Sequence, residues 1–154
     1  MHITTDQQNF MREALKEANK AHEIDEVPIG AVVTLNNEII GRGFNSVIKQ
    51  NDPTCHAEIV AIRAAGQYLN NYRLPHAHLY VTLEPCVMCL GAIFHARIKH
   101  VFFGASEQKF NSCDEKNNLV NNRLINHQTL FSGGVLSEEC GEMLTNFFQK
   151  KRST

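Results

Sequence analysis

Two apolar runs, AHLYVTL (77–83) and KHVFFGA (99–105), stand on either side of a short apolar segment at residues 86–95. Each run has the length of one strand and reads as buried. The segment between them reads as a short helix, and two buried strands joined through a helix imply a parallel crossover. Helices must then cover the pair, and the rest of the chain provides them. Phe10, Met11, Ala14, Leu15 and Ala18 recur at helical spacing over 10–21. IGAVVTL (29–35) reads as a buried strand, Asn36-Asn37 as a turn, and EIIGRGF (38–44) as the hairpin partner. HAEIVAIRAAGQYLNN (56–71) is a second helix, entered through Asp52-Pro53. The stretch 106–126 is polar and Asn-rich, a loop or weak helix, and TLFSGGV (129–135) is a last strand. Ser137 reads as the cap of a final helix with Glu138 and Glu139 in its first turn and Lys150, Lys151 and Arg152 in its last, an order that suits the helix dipole. The expected fold class is α/β: one domain over residues 1–154, three layers α/β/α, with a central mixed sheet of about five strands.

In such folds ligands sit at the carboxyl ends of the strands. TLEPCVMCLGAI (82–93) lies just past one of those ends and carries Cys86 and Cys89 straight after Pro85. A zinc site, a redox pair and two buried core cysteines all fit that local pattern. The chain has 154 residues, 43% of them hydrophobic and 20% charged, as in an ordinary globular protein. Its start, MHITTDQQNFMREALKEANK, has neither an apolar core nor a cationic head and does not read as a signal peptide. No apolar run spans a bilayer. A cytoplasmic location is expected, where five cysteines, an odd number, do not make a disulfide framework.

The discriminating feature is upstream, in PTCHAEI (53–59). His56 would complete a Cys2His set with Cys86 and Cys89. Structural zinc sites fill four protein positions, and catalytic ones keep one open for water. No fourth ligand is well placed: Cys55 is adjacent to His56 and is expected to point away, and Cys113 falls in the polar loop. Glu58 follows His56 by two positions, in the first helical turn, where a carboxylate can reach the open position without binding the metal. H-x-E followed by P-C-x-x-C is an established signature of zinc deaminases. His22, His76, His78, His95, His100 and His127 are expected at the surface or in packing, and Cys55, Cys113 and Cys140 as small buried or loop residues.

VPIGAVV, GFN, DPTCHAEIVAIR, NYRL, LYVTLEPCVMCLGAIFHARI and VFFGA together resemble bacterial tRNA-specific adenosine deaminases, of the cytidine deaminase-like superfamily. The likeness runs from about Phe10 to Ala105 and resumes weakly in GGVLSEECGEMLTNFFQKKR. It implies a homodimer that converts the wobble adenosine in the anticodon loop of an arginine tRNA to inosine. It implies one zinc per chain on His56, Cys86 and Cys89, with Glu58 as proton shuttle. It implies Asn45 as a hydrogen-bonding partner of the purine, and the Cys86 backbone N–H is expected to stabilise the oxygen that develops charge. The sequence departs from the family after FGA. There SEQKFNSCDEKNN offers Glu107 and Lys109 as matches to family RNA-side residues but lacks the usual glycines. A deaminase of a free base or nucleoside, of guanine or cytosine type, is therefore the alternative, with a non-catalytic zinc protein that binds RNA or a partner behind it.

Net charge is −1, so any RNA contact has to come from a local patch. Lys150, Lys151 and Arg152, with Phe147 or Phe148 as a stacking surface, are the candidates, and Lys109 is a further one. The helix VMCLGAIFHARI (87–98) is apolar on nearly every side, which fits a dimer contact.

Overall fold

The structure, a computed structural model, describes residues 2–106 and 128–153. Its helices are α1 (Thr5–Glu23), α2 (Val47–Gln50), α3 (Ala57–Leu69), α4 (Val87–Ala96) and α5 (Ser137–Arg152). Its strands are β1 (Gly30–Leu35), β2 (Glu38–Phe44), β3 (His78–Leu83), β4 (His100–Ala105) and β5 (Leu130–Ser132). The strands form one sheet in the order β2-β1-β3-β4-β5. β1 is antiparallel to both β2 and β3, whereas β3, β4 and β5 run parallel. The mixed sheet and the β3–α4–β4 crossover are those the two apolar runs predict.

Alternation along the strands divides the core in two. Ala31, Val33, Leu79, Val81 and Val101 pack with Ala57, Ala61, Leu90, Ile93 and Phe94 under α3 and α4. Val32, Tyr80 and Phe102 pack with Met11, Ala14, Val135 and Cys140 under α1 and α5. Each fully buried aliphatic side chain contributes about 1.5–3 kcal/mol relative to exposure. That is why the central strands are apolar on both faces.

The boundaries differ from the sequence reading in four places, each for a local reason. Helix α1 starts five residues earlier, because Thr4 and Gln7 form a reciprocal capping box. Strand β5 stops at Ser132, ahead of Gly133 and of Gly134 at φ 89°. Ser137 does not cap α5: Leu136 holds the cap position at φ 53° and packs onto the α1/α5 core, which leaves Ser137 inside the first turn. The four-residue α2 was not expected. Its Ile48 and Lys49 N–H groups donate to the buried Glu26 carboxylate at 3.1 and 2.9 Å. Residues 107–127, with Glu107, Lys109, Cys113 and His127, lie outside the described residues.

Pairing of Gly30 with Phe44, and of Ala31 with Val81, gathers the start of β1, the end of β2 and the end of β3 at one edge. Gly43 sets the depth of α3 against that edge. A Cβ there would stand 2.5 Å from both Ala57 O and Ala61 N, so only glycine lets the first turn of α3 lie on β2.

At the opposite edge His78 and His100 pair across β3 and β4, with ring centroids 5.9 Å apart. His100 Nε2 lies 2.8 Å from Ser132 Oγ, and its ring stacks on Phe102 at 4.0 Å. Burial lowers both imidazole pKa values below 6.5, with Lys99 adding to it for each. The unfolded chain therefore binds more protons than the folded one once the pH drops through 6.5, and stability falls on that side. Thermal melts from pH 7.5 to 5.5 are expected to show this loss. His78→Asn combined with His100→Gln is expected to flatten the dependence, and an unchanged slope in the double variant would remove the pair as its source.

Candidate metal centre

His56 is the residue before α3, in extended conformation (φ −73°, ψ 152°), and its side chain makes no capping bond. Cys86 holds the same position before α4 (φ −76°, ψ 174°), again without a capping bond. Both side chains are thereby left for other work. Asn45 caps α3 instead: its Oδ1 accepts from the Ala57 N–H at 2.8 Å. Cys89 follows one turn after Cys86 and is fully buried.

These positions bring three donors together. His56 Nδ1 lies 3.6 Å from Cys86 Sγ and 3.6 Å from Cys89 Sγ. The three ligand atoms lie within 4.8 Å of one another, and among the described residues they are the group of this size suited to a metal ion. The spacing can be tested against chemistry. A tetrahedral ion at about 2.3 Å from sulfur and about 2.05 Å from nitrogen separates N from S by about 3.6 Å. The observed distances match, and two thiolates with one imidazole are the donor set of a zinc site with a fourth position open.

The electrostatics point the same way. Both thiols lie in the first turn of α4, where the helix dipole favours thiolate. The hydrogen bond from Cys89 holds the Cys86 thiol down at about 3, with His56 adding to it. The same bond, together with burial, pushes Cys89 up. His56 is raised by its bond to the Cys86 sulfur.

Glu58, the second residue of α3, is 4% exposed. Burial pushes its carboxyl up to about 6, against a hydrogen bond from its own backbone N–H. Glu58 interacts with Cys86, His56 and Cys89, and a carboxyl raised to about 6 beside such a donor set is suited to accept and return protons.

The structure brings His56, Glu58, Cys86 and Cys89 together, with Asn45 bonded into the same turn. Cys55 is turned away, its thiol donating to Asp52 Oδ2 at 3.3 Å. Phe148, Lys150, Lys151 and Arg152 lie exposed at the end of α5, apart from this cluster. Phe147 is not a stacking surface: it is 5% exposed and belongs to the core. Two supporting residues were missed in the sequence. Asp52 accepts from both the N–H and hydroxyl of Thr54, at 2.8 and 2.7 Å, and so shapes the entry to His56. The Asp-Pro-Thr run carried that turn signal. Glu26 gave no signal, because an acid beside Asp25 just past a helix reads as surface.

Residues 4–105 match the family described as cytidine and deoxycytidylate deaminase zinc-binding region. A protein of Haemophilus influenzae named tRNA-specific adenosine deaminase is 47% identical over 146 residues, 94% of this chain and 84% of that one. The chain belongs to the tRNA-specific adenosine deaminase family. A solved structure from work on A-to-I editing by tRNA:A34 deaminases at the wobble position superposes with a TM-score of 0.83 at 43% identity, covering 88% of this chain and 99% of that one. A guanine deaminase of Bacillus subtilis superposes less closely, with a TM-score of 0.64 at 32% identity over 99% of this chain and 96% of its own. Deaminase family membership gives the three-donor cluster a direct test. Cys86→Ala is expected to lose most bound zinc in elemental analysis, and full occupancy in that variant would take Cys86 out of the set.

Proposed function

We propose that this chain is a cytoplasmic, single-domain zinc hydrolase that deaminates the wobble adenosine of a tRNA anticodon to inosine. The observation that carries it is the buried Glu58 carboxylate beside the His56–Cys86–Cys89 set, in a chain 47% identical to a tRNA-specific adenosine deaminase. One zinc per chain, on those three side chains, would supply Lewis acidity that makes water a nucleophile near neutral pH.

The protein's own groups account for the remaining steps. Glu58 takes one proton from the attacking water and delivers it to purine N1 as oxygen bonds to C6. The Cys86 backbone N–H, at the start of α4, is the donor assigned to the oxygen where charge develops. Glu58 then carries the second water proton to the amino group, the C6–N bond breaks, and ammonia leaves. Asn45 fixes the base. Its Oδ1 is committed to Ala57 N–H, so its amide NH2 is the group left to donate to a ring nitrogen. The base enters unpaired, as an anticodon loop presents it. Phe148, Lys150, Lys151 and Arg152 are proposed RNA contacts on the same protein.

A free-base deaminase is the competing reading, and the guanine deaminase likeness is what favours it. Lower identity and a weaker superposition than those of the adenosine-editing relative count against it. Incubation with total tRNA is expected to yield inosine in RNA, with no ammonia from free adenosine, guanine or cytidine. Ammonia from guanine alone would transfer the assignment. In the same assay Glu58→Ala is expected to retain zinc and RNA affinity while turnover falls by about 10⁴-fold. Turnover within a few-fold of wild type would end the shuttle role.

The homodimer has its own support. Val87 is 51% and Met88 38% exposed, and Gly91, Ala92 and His95 continue that side of α4 with open space beside Gly91. Such an apolar face is suited to a second copy. Light scattering is expected to give a dimer for wild type and a monomer for Met88→Lys. A fully active wild-type monomer would overturn the assembly.

A further inference from the structure

Glu26 carries a buried carboxylate, 3% exposed, that the chemistry above does not use. Its two oxygens accept the N–H groups of Ile48 and Lys49 at 3.1 and 2.9 Å. These are the second and third residues of α2, the amides that a local N-cap side chain ordinarily serves. Ser46 stands at that cap position, yet its side chain makes no capping bond. A residue 22 positions from Ile48 thus does what an immediate neighbour could do. Steadying α2 does not by itself call for this. A local cap steadies a helix wherever it lies, whereas a cap from another element also fixes where it lies.

Packing does not place α2. It buries none of its own residues, Ile48 is 72% exposed, and four residues are too few to hold a helix alone. The loop 46–55 around it is tied into one piece. Gln50 N–H donates to Ser46 O at 2.9 Å, Asp52 N–H to Val47 O at 3.1 Å and Cys55 N–H to Asp52 O at 3.2 Å. Ser46 N–H closes the loop on Cys55 O at 3.0 Å. Glu26 is itself fixed, since its N–H donates to Ala21 O at 2.9 Å and Pro28 just beyond it is fully buried. The loop joins Asn45 to His56. Asn45 has anchors of its own, its N–H on Ile29 O at 3.1 Å and its Oδ1 on Ala57 N–H. His56 instead donates its N–H into the loop, to Thr54 O at 2.8 Å. Its extended backbone, at φ −73° and ψ 152°, is where the loop hands over to α3, and that backbone governs which rotamers are open to the ring.

We propose that Glu26 is a positioning residue for the metal centre: by holding α2 it sets the loop 46–55, and through the loop the direction in which His56 presents Nδ1 to the two sulfurs. This rests on the reading of His56 as a metal ligand in a deaminase. A neutral isostere separates positioning from mere support of the fold. Glu26→Gln keeps the shape and one acceptor but turns an NH2 toward the other amide, so α2 is pushed from its place while the sheet and the two cores are untouched. A misplacement of about 1 Å far from the chemistry can cost on the order of 10²-fold. Partners that orient metal ligands from behind typically cost about 10–100-fold in metal affinity or activity when lost.

Cobalt(II) loaded in place of zinc reports ligand geometry through its visible absorption, and the spectrum of Glu26→Gln is expected to differ from that of wild type. Competition with a chelator is expected to show zinc held about ten-fold more weakly. Single-turnover deamination of an anticodon stem-loop RNA at saturation is expected to fall by about 10–100-fold per bound zinc. Affinity for that RNA is expected to stay constant, because phosphate contacts away from the metal supply most of it. Thr4→Ala is the control for stability. It removes the capping box at the far end of α1 and is expected to lower the melting temperature with the spectrum and the rate per zinc unchanged. A Glu26→Gln protein with the wild-type spectrum, zinc affinity and rate per zinc would overturn the proposal, whatever its melting temperature. So would a Thr4→Ala protein slowed per zinc as much as Glu26→Gln at an equal loss of melting temperature. Wild type that binds no zinc would take down the metal centre itself. Wild type that binds zinc but forms no inosine would take down the tRNA reading, and the cobalt spectrum and zinc affinity would still decide the role of Glu26.

Discussion

Everything at the catalytic end depends on holding His56 Nδ1 3.6 Å from two sulfurs that arrive from a different helix. A one-turn spacing puts Cys86 and Cys89 on one side of α4, but nothing local brings His56 to them. That is done by the sheet. β3 launches α4 at its end, while β2 ends at the same edge and delivers Asn45, whose Oδ1 fixes the first N–H of α3. Gly43 removes the Cβ that would hold α3 off the strand. Two helix N-termini thus converge on one point, and their dipoles add where anionic ligands must sit.

The same convergence makes the centre costly without a cation. Two thiols and an imidazole at this distance pull against one another: Cys86 is held down, Cys89 is pushed up, and His56 is drawn toward the charged form. A divalent ion held by His56, Cys86 and Cys89 would favour two thiolates and a neutral ring, and its binding would release protons. Glu58 lies two residues past His56, in the first turn of α3, buried and held by its own backbone N–H.

Much of this was legible in the sequence because it rests on short-range rules. Two all-apolar runs around a helix gave the parallel pair, and Asn36-Asn37 gave the hairpin. H-x-E and P-C-x-x-C gave donors and carboxylate in order. What was not legible was set by tertiary contact. Leu136 displaced Ser137 from the cap position because an apolar side chain gained a place in the core. The four residues of α2 are too few to carry periodicity and exist because Glu26 binds their amides. Phe147 and Phe148 are neighbours in sequence with opposite fates, and only the angle at which α5 packs decides which of them faces water. The Thr4–Gln7 capping box, by contrast, was readable from its spacing.

The commitment of Asn45 Oδ1 to Ala57 N–H has a consequence for base selection. The NH2 of that amide is the donor it can offer a ligand, so under the proposed role Asn45 meets a ring acceptor. Adenine and guanine both offer unprotonated ring nitrogens, as cytosine does, so this contact does not tell one purine from the other. Discrimination then rests on which exocyclic amine is presented to Glu58, the one on C6 or the one on C2. That is a matter of how the purine is turned in the site. A nucleobase still attached to ribose and phosphate is turned by what holds its backbone. A free base is turned only by the walls of its pocket. Purine deaminases of both kinds can therefore share this sheet and this metal centre, and the features that separate them lie outside the centre, where a polymer is or is not held.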